Sequence, residues 1–552
     1  MFKGKKKNIS RTNQFAIIAV VFGTLTAFST SQASATSLQL LHAFENPYGI
    51  AQSPPVPNEG GNPQGALVTG SDGNYYGVLW NKGDGGFGTI FKMTPTGTLT
   101  VLHAFDAPNC VPNLCTNADG AQPDGGLVVT DDGSFLGTTA FAGTGGNGTI
   151  YKITPDGTFT ILHAFSGFNE PDVQYGTNAD GAFPFGTLVQ GPDDAYYGIT
   201  EYGGINGKGV FFRITADGLF TVICAMTGSI GEKFSGSAPV LGNDGNFYGA
   251  FDDNYSTGGY IYKITLQGSF SKLYSFTGAA DGGVPDVLIS ARDGNLYGAT
   301  RSGGANGTGT LFKLTLQGVF STLHAFDAVP TRLRFDLYSC GTPSYCFDQV
   351  PMNNIDGTDP VFLMQAADGN LYGSNFYYGG GASPSGTLFR WTPDGEFSVP
   401  FAFGDSGSDF GSYIYPVGEP TGISDDGQGG LLIFTQESGS DPFEGWSFDG
   451  AVLRITLDSP LTVNVSFNPS EVWIGQATQL KWSSTNAQSC KFIGYSLPEI
   501  SGSAATSGTK TIKLLSRRTF NPASFAAGVE CISADGHVAN ATAKFTIKSL
   551  AK

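Results

Sequence analysis

A glycine followed by an alternating apolar run and a threonine recurs seven times in this chain. The copies are GTIFKMT from Gly88, GTIYKIT from Gly148, GVFFRIT from Gly209, GYIYKIT from Gly259, GTLFKLT from Gly309, GTLFRWT from Gly386 and GAVLRIT from Gly450. The intervals are 60, 61, 50, 50, 77 and 64 residues. Repetition in fixed order at this spacing marks an array, a solenoid or a propeller.

The same neighbours surround each copy. An Asp-Gly turn and an aromatic-Gly pair precede it, as at Asp72-Gly73 with Tyr76-Gly77 and Asp293-Gly294 with Tyr297-Gly298. A second turn follows, such as Thr94-Pro95-Thr96-Gly97, and then a run ending in Leu-His-Ala-Phe at 102–105, 162–165 and 323–326. Alternation and β-branched or aromatic enrichment indicate strands, and the Asp-Gly and Pro-x-Gly pairs indicate tight turns between them. The first unit reads as strands over about 65–71, 74–80, 88–94 and 98–105. Four antiparallel strands per unit is the blade of a β-propeller. Seven copies carry the first three strands, but the seventh lacks a fourth, and Ser37–Phe44 (SLQLLHAF) supplies the missing one from the other chain end. The expected fold is all-β: a seven-bladed β-propeller over 36–458 closed by an N-terminal strand, which removes two open sheet edges. Residues 459–552 form a separate β-sandwich in this reading.

The stretch LYGATRSGGANGTGTLFKLTLQGVFSTLHAF (296–326) resembles the GloVer tandem repeat of bacterial surface and secreted proteins, over roughly 37–457. The resemblance implies an extracellular repeat protein and brings no catalytic residue with it. WSSTNAQSC (482–490) followed by VECIS (529–533) is similar to bacterial immunoglobulin-like domains. It implies a Cys490–Cys531 bridge between two sheets with Trp482 packed beside it.

Residues 1–35 read as a signal peptide: Lys3, Lys5, Lys6, Lys7 and Arg11, an apolar core over 15–28, and Ala33-Ser34-Ala35. The localisation expected is secreted, extracellular or cell-surface, with the periplasm as an option. Removing that segment takes the net charge from −17 to −22. Such acidity excludes nucleic acid and anionic membrane as partners, because phosphate contacts need clustered Lys and Arg. The chain is expected to be monomeric, without membrane insertion after cleavage. In an exported chain, disulfides are expected at Cys110–Cys115 and Cys340–Cys346, with Cys224 unpaired because it replaces the repeat histidine.

His42, His103, His163 and His324 occupy equivalent outer positions, too far apart for one metal, so a structural bond to the adjacent blade is expected. Asp72, Asp132, Asp244, Asp293, Asp368 and Asp426 read as turn residues that bond their own backbone. A second set, Asp119, Asp180, Asp281 and Asp356, opens the interblade loops in this reading. It suits loop capping, with calcium as the alternative, and no cofactor is otherwise expected. No catalytic signature is present.

Antiparallel alternation puts the second-to-third strand loops and the interblade loops (45–63, 106–124, 166–185 and 327–359) at one end of every blade. The candidate ligand-binding residues are Trp80, Asn81, Glu201, Tyr202, Asp252, Asp253, Arg301, Phe376 and Tyr377, in the second-to-third loops. Trp80, Tyr202, Asp253, Arg301 and Tyr377 are read as standing at comparable places. Exposed aromatics beside carboxylates suit a glycan or a protein ligand. The expected function is a secreted or surface non-catalytic binder. The alternative is an extracellular polysaccharide-active hydrolase or lyase with carboxylates at the channel mouth.

Overall fold

A computed structural model describes residues 37–45 and, from 59 to 548, the strands and most of their connections. The expected signal peptide, Cys340, Cys346, Asp253 and His537 lie outside the described residues.

Every described element of regular structure is a strand. The strands of the repeat region form seven sheets. Sheet 1 runs Gly61–Thr69, Tyr75–Asn81, Thr89–Met93 and Leu99–Ala104, each strand pairing antiparallel with the next. Sheets 2, 3, 5 and 6 repeat that order, and sheet 4 splits its first strand into Lys233–Phe234 and Val240–Leu241. Sheet 7 combines Pro420–Asp425, Gly430–Thr435 and Phe448–Thr456 with Ser37–Glu45 from the other chain end, in the register Ser37↔Thr456 to Ala43↔Ala451. The N-terminal strand thus pairs as its sequence indicates.

The first strand begins four residues earlier than its composition suggests, at Gly61 rather than 65. Gly61-Asn62-Pro63 looks like a loop, yet Gly61 pairs with Asn81 and Pro63 with Leu79. Asn62 adopts φ 55°, and Gln122, Phe183, Val284 and Asp359, each also before a proline, adopt φ 55–61°. The kink lets the backbone N–H reach sideways to the preceding sheet. Gln122 N–H donates to Phe87 O at 2.8 Å, Phe183 N–H to Asn147 O at 2.9 Å and Val284 N–H to Gly258 O at 2.7 Å. Proline, which has no N–H to lose, follows at no further cost. It packs on the third-strand glycine of the sheet before it. A Cβ on Gly148 would lie 2.7 Å from Pro184 Cδ, and one on Gly450 would lie 2.8 Å from Pro63 Cδ.

Apolar side chains fill the space between consecutive sheets. Tyr76, Val78, Ile90 and Phe105 of sheet 1 pack with Leu127, Phe135, Tyr151 and Ile153 of sheet 2. Leu41, Phe44, Leu432, Phe434 and Val452 of sheet 7 pack in the same way with Leu67, Tyr75, Leu79, Phe91 and Met93 of sheet 1. Burying one such side chain stabilises by roughly 1.5–3 kcal/mol.

The Leu-His-Ala-Phe motif works as a unit. Its Leu is an extra residue in the fourth strand, a β-bulge between the partners of Ile90 and Phe91 in sheet 1 and of Ile150 and Tyr151 in sheet 2. Its Phe is buried, and Phe105 N–H closes the strand on Gly88 O at 3.1 Å. Its His turns to the next sheet. His103 Nε2 lies 3.0 Å from Asp119 Oδ2, and its ring stacks on Phe159 with centroids 3.8 Å apart. His163 does the same with Asp180 and Phe220, and His324 with Asp356 and Phe397. His42 lies 2.7 Å from Glu59. Cys224, in the position of the His, is a free half-buried thiol whose pKa burial raises.

Beyond Thr456 two further sheets share a core. Thr462–Asn468, Ala477–Thr485 and Ser507–Lys513 form one. Glu471–Trp473, Val538–Lys548, Ser524–Ile532, Ser489–Ile493 and Ser503–Ala504 form the other. Phe467, Leu480 and Ile512 of the first pack against Ala527 of the second. The Cys490–Cys531 disulfide is present, but it links directly opposite residues of paired strands within one sheet. The expected bridge between sheets is therefore corrected: Cys490 and Cys531 face the same way from neighbouring strands. Trp482, in the facing sheet, packs edge-on to Phe492 and donates to Ala505 O at 2.8 Å.

Candidate functional site

Each repeat sheet has a turn end and a loop end, and the two ends use their side chains differently. At the turn end Asp72 accepts from Asn74 N–H at 3.1 Å, Asn74 Nδ2 and Tyr76 OH at 2.8 Å, and Lys92 Nζ at 2.6 Å. Asp244 repeats the set with Asn246, Tyr248 and Lys263, and Asp293 with Asn295, Tyr297 and Lys313. Burial raises the Asp72 carboxyl, but Lys92, Asn74 and Tyr76 outweigh it and hold it well below the usual carboxylate range. At Asp293 burial is likewise outweighed by Lys313, Asn295 and Tyr297, which hold the group at about 2.

At the loop end, asparagine ties the two loop classes together. Asn178, buried, accepts from Gly181 N–H at 3.0 Å and Gly204 N–H at 2.7 Å, and donates to Ser166 O at 2.8 Å and Gly181 O at 2.7 Å. Asn117 does the same between Gly120 and Gly143. The loop between second and third strands therefore lies against the interblade loop, as alternation requires. The second Asp set closes the interblade loops rather than opening them, since Asp119-Gly120 directly precedes Ala121. These carboxylates accept from the repeat His or Tyr and from backbone: Asp119 from Asp106 N–H at 3.1 Å and Asp281 from Thr277 N–H at 2.9 Å. Their oxygens cap loops, and among the described residues no group of His, Cys, Asp and Glu has the arrangement of a metal site.

The eight candidate residues that the structure describes do not lie in loops. Trp80, Asn81, Glu201, Tyr202, Asp252, Arg301, Phe376 and Tyr377 are the last residues of second strands, because the ladder continues up to the glycine turn. Register also divides them. Leu79 faces Thr89, Thr300 faces Thr310 and Asn375 faces Thr387, so Trp80, Arg301 and Phe376 are equivalent, as are Glu201 and Asp252. Asn81, Tyr202 and Tyr377 come one residue later in the register, which puts Asn81 and Tyr202 on the opposite sheet face. The equivalence of Trp80 with Tyr202 and Tyr377 is therefore corrected.

First-strand residues join this end and were missed in the sequence. Arg301 lies 2.6 Å from Asp286 of its own sheet and 3.1 Å from Asp359 of the next. Burial raises the Asp359 carboxyl, with Arg301 pulling it back. Burial first, and then the charge of Glu201, raise Asp124, against the hydrogen bond from Gly125 N–H. The position after the first-strand proline was the only sequence signal for Asp124 and Asp286, and it carries Gln64 and Phe185 in sister sheets.

Residues 23–179 and 184–334, more than half of the chain, match the Gloeobacter/Verrucomicrobia repeat in two tandem copies. The chain belongs to this repeat family. No curated protein matches this Gloeobacter/Verrucomicrobia repeat protein. Among solved structures it is similar to the extracellular domain of BT4673 from B. thetaiotaomicron, at 11% identity, covering 89% of this chain and 59% of that one, with a TM-score of 0.40. Puromycin hydrolase matches at 13% identity, covering 79% and 62%, with a TM-score of 0.40. A protein from Lactobacillus plantarum matches at 17% identity, covering 67% and 95%, with a TM-score of 0.38. The repeat protein spans about three fifths of the length of the first two.

Proposed function

We propose that the seven sheets are the blades of one closed propeller, followed by an immunoglobulin-like sandwich. In this reading the chain is exported and binds a glycan or protein ligand at its loop end, outside the cell or on its surface, without catalysis of its own. Closure is supported by the seam. Sheets 7 and 1 repeat the contacts of sheets 1 and 2: an apolar core, a proline on a third-strand glycine, and first strands that touch. Export is supported by the leader-like start and by the two described disulfides.

The observation that carries the binding reading is the contrast between the ends. The turn end repeats one Asp–Tyr–Lys network in sheets 1, 4 and 5, with arginine for the lysine in sheet 3, whereas equivalent loop-end positions carry Trp80, Glu201, Asp252, Arg301 and Phe376. Architecture alone gives little reason for that variety. Among the described carboxylates of this end, Asp286 and Asp359 are engaged by Arg301, and Asp124 is raised by burial and by the charge of Glu201.

Glycan and protein arrays probed with the full chain test the reading, with reducing-end assays on any glycan hit. Trp80→Ala and Glu201→Gln should weaken the binding found, while Thr96→Ala and Asn295→Ala leave it unchanged. The reverse pattern would place the function at the turn end.

A further inference from the structure

The loop end of sheets 2 and 3 carries a ridge of exposed apolar side chains. It begins at a small hairpin, Asn109–Val111 paired with Leu114–Thr116, cross-linked by Cys110–Cys115. Val111 is 55% exposed and Leu114 43%. Leu114 lies over the second-to-third loop of sheet 2, where its Cδ1 would be 2.4 Å from a Cβ on Gly146. Phe141, at the end of the strand entering that loop, is 42% exposed. Its ring lies 5.1 Å from Phe183 of sheet 3, which meets Phe168 at 6.3 Å and Tyr202 edge-on at 5.8 Å. Three residues beyond Tyr202, Ile205 is 73% exposed. Among the described residues four of the eight exposed large apolar side chains fall on this ridge, and the others are spread over separate strands and turns. A contiguous exposed apolar patch marks an interaction site, whereas single exposed residues do not.

The ridge is also built to keep its shape. The disulfide staples the hairpin, Asn117 and Asn178 anchor both loops, and Phe183 is held at φ 55° by its hydrogen bond to Asn147 O. A preorganised surface loses little entropy on binding.

We propose that this ridge docks an extracellular polypeptide segment that presents apolar side chains flanked by Lys or Arg. The proposal rests on the loop end being the binding surface and names the class of its ligand. Two observations choose the occupant. Val111, Leu114, Phe141, Phe168 and Ile205 have no side-chain hydrogen-bonding atoms, so sugar hydroxyls set against them would lose water without replacement. Apolar side chains of a polypeptide would not. The loops that carry these side chains hold Asp106 and Glu201 against Lys208, on a chain of net charge −17, so basic residues are the complementary flank.

A random peptide library selected against the full chain tests this. Selection is expected to converge on apolar residues next to Lys or Arg. A selected peptide should bind Phe141→Ser and Ile205→Ser about tenfold or more weakly. It should bind Leu219→Ser unchanged, since Leu219 is an aliphatic of similar exposure, 65%, at the turn end. No convergence, an acidic consensus, or undiminished binding to Phe141→Ser and Ile205→Ser overturns the proposal. So does a neutral oligosaccharide whose binding is abolished by Phe141→Ser, although that result leaves the loop end as the binding surface.

Discussion

The turn ends and loop ends of the repeat sheets are opposite tips of the same strands, yet one varies little and the other varies widely. At the turn end a single carboxylate gathers a backbone N–H, a tyrosine hydroxyl and a lysine in sheets 1, 4 and 5, and sheets 2 and 3 keep the carboxylate–cation pair as Asp132–Lys152 and Asp193–Arg213. At the loop end uniformity withdraws inward, to half-buried Asn117 and buried Asn178, and the outer positions differ from sheet to sheet. A repeat can thus hold its scaffold constant while one surface is free to change.

The largest effect expected of a single substitution lies at the turn end of the seam. A Cβ on Gly97 would sit 1.9 Å from Leu41 O, and Gly97 has φ 90°. Gly97→Val should cost about 4 kcal/mol or more in urea unfolding. Gly157→Val should cost less, because there the corresponding distance to Leu102 O is 3.4 Å. Equal costs would mean that the seam is no tighter than an interior junction.

Asn178→Ala comes next, at about 3 kcal/mol, because it strands two buried N–H groups and two carbonyls. It would show that the loop end is rigid beneath a variable surface. A loss below about 0.5 kcal/mol would make the loop end a soft region instead.

The turn-end carboxylates also predict acid sensitivity. Their folded pKa values are depressed, so their stabilisation is complete above the unfolded value near 4 and is lost as pH falls through the folded values. With Asp293 at about 2 and Asp72, Asp132 and Asp244 lower still, the loss should begin near pH 4 and continue past pH 2. Circular dichroism at fixed temperature checks this, and a flat response from pH 4 to 2 would remove the network from the stability of the fold. Asp244→Asn should cost only about 1 kcal/mol, since the site is largely in water.

The smallest stability effect is expected from Glu201→Gln, within about 0.5 kcal/mol. If it destabilises as much as Asn178→Ala, the varied positions are structural and the contrast between the ends fails.

Much of the architecture was legible in the chain itself. Period, turn residues and the unmatched SLQLLHAF segment were enough for strand order, the four-strand unit and the pairing of Ser37–Glu45 with Phe448–Thr456. These depend on local chemistry and on counting. The candidate site was less legible. Trp80, Glu201, Arg301 and Phe376 were recognised at the correct end of their strands, but Tyr202 and Tyr377 were aligned one residue off, and for Tyr202 that is the other face, because strand faces alternate with period two. Asp124, Asp286 and Asp359 were passed over beside prolines that read as loop.

The sequence alone therefore determined the repeat, the strands and the turns, each written in residues close together in the chain. Only the tertiary structure decided which residues meet across sheets. His103 with Phe159, Arg301 with Asp359 and Phe141 with Phe183 are such meetings, and so is the discovery that Cys490 and Cys531 share one sheet. They depend on register, bulges and left-handed kinks before proline, which shift a side chain by a residue or a face and leave only a faint trace in composition.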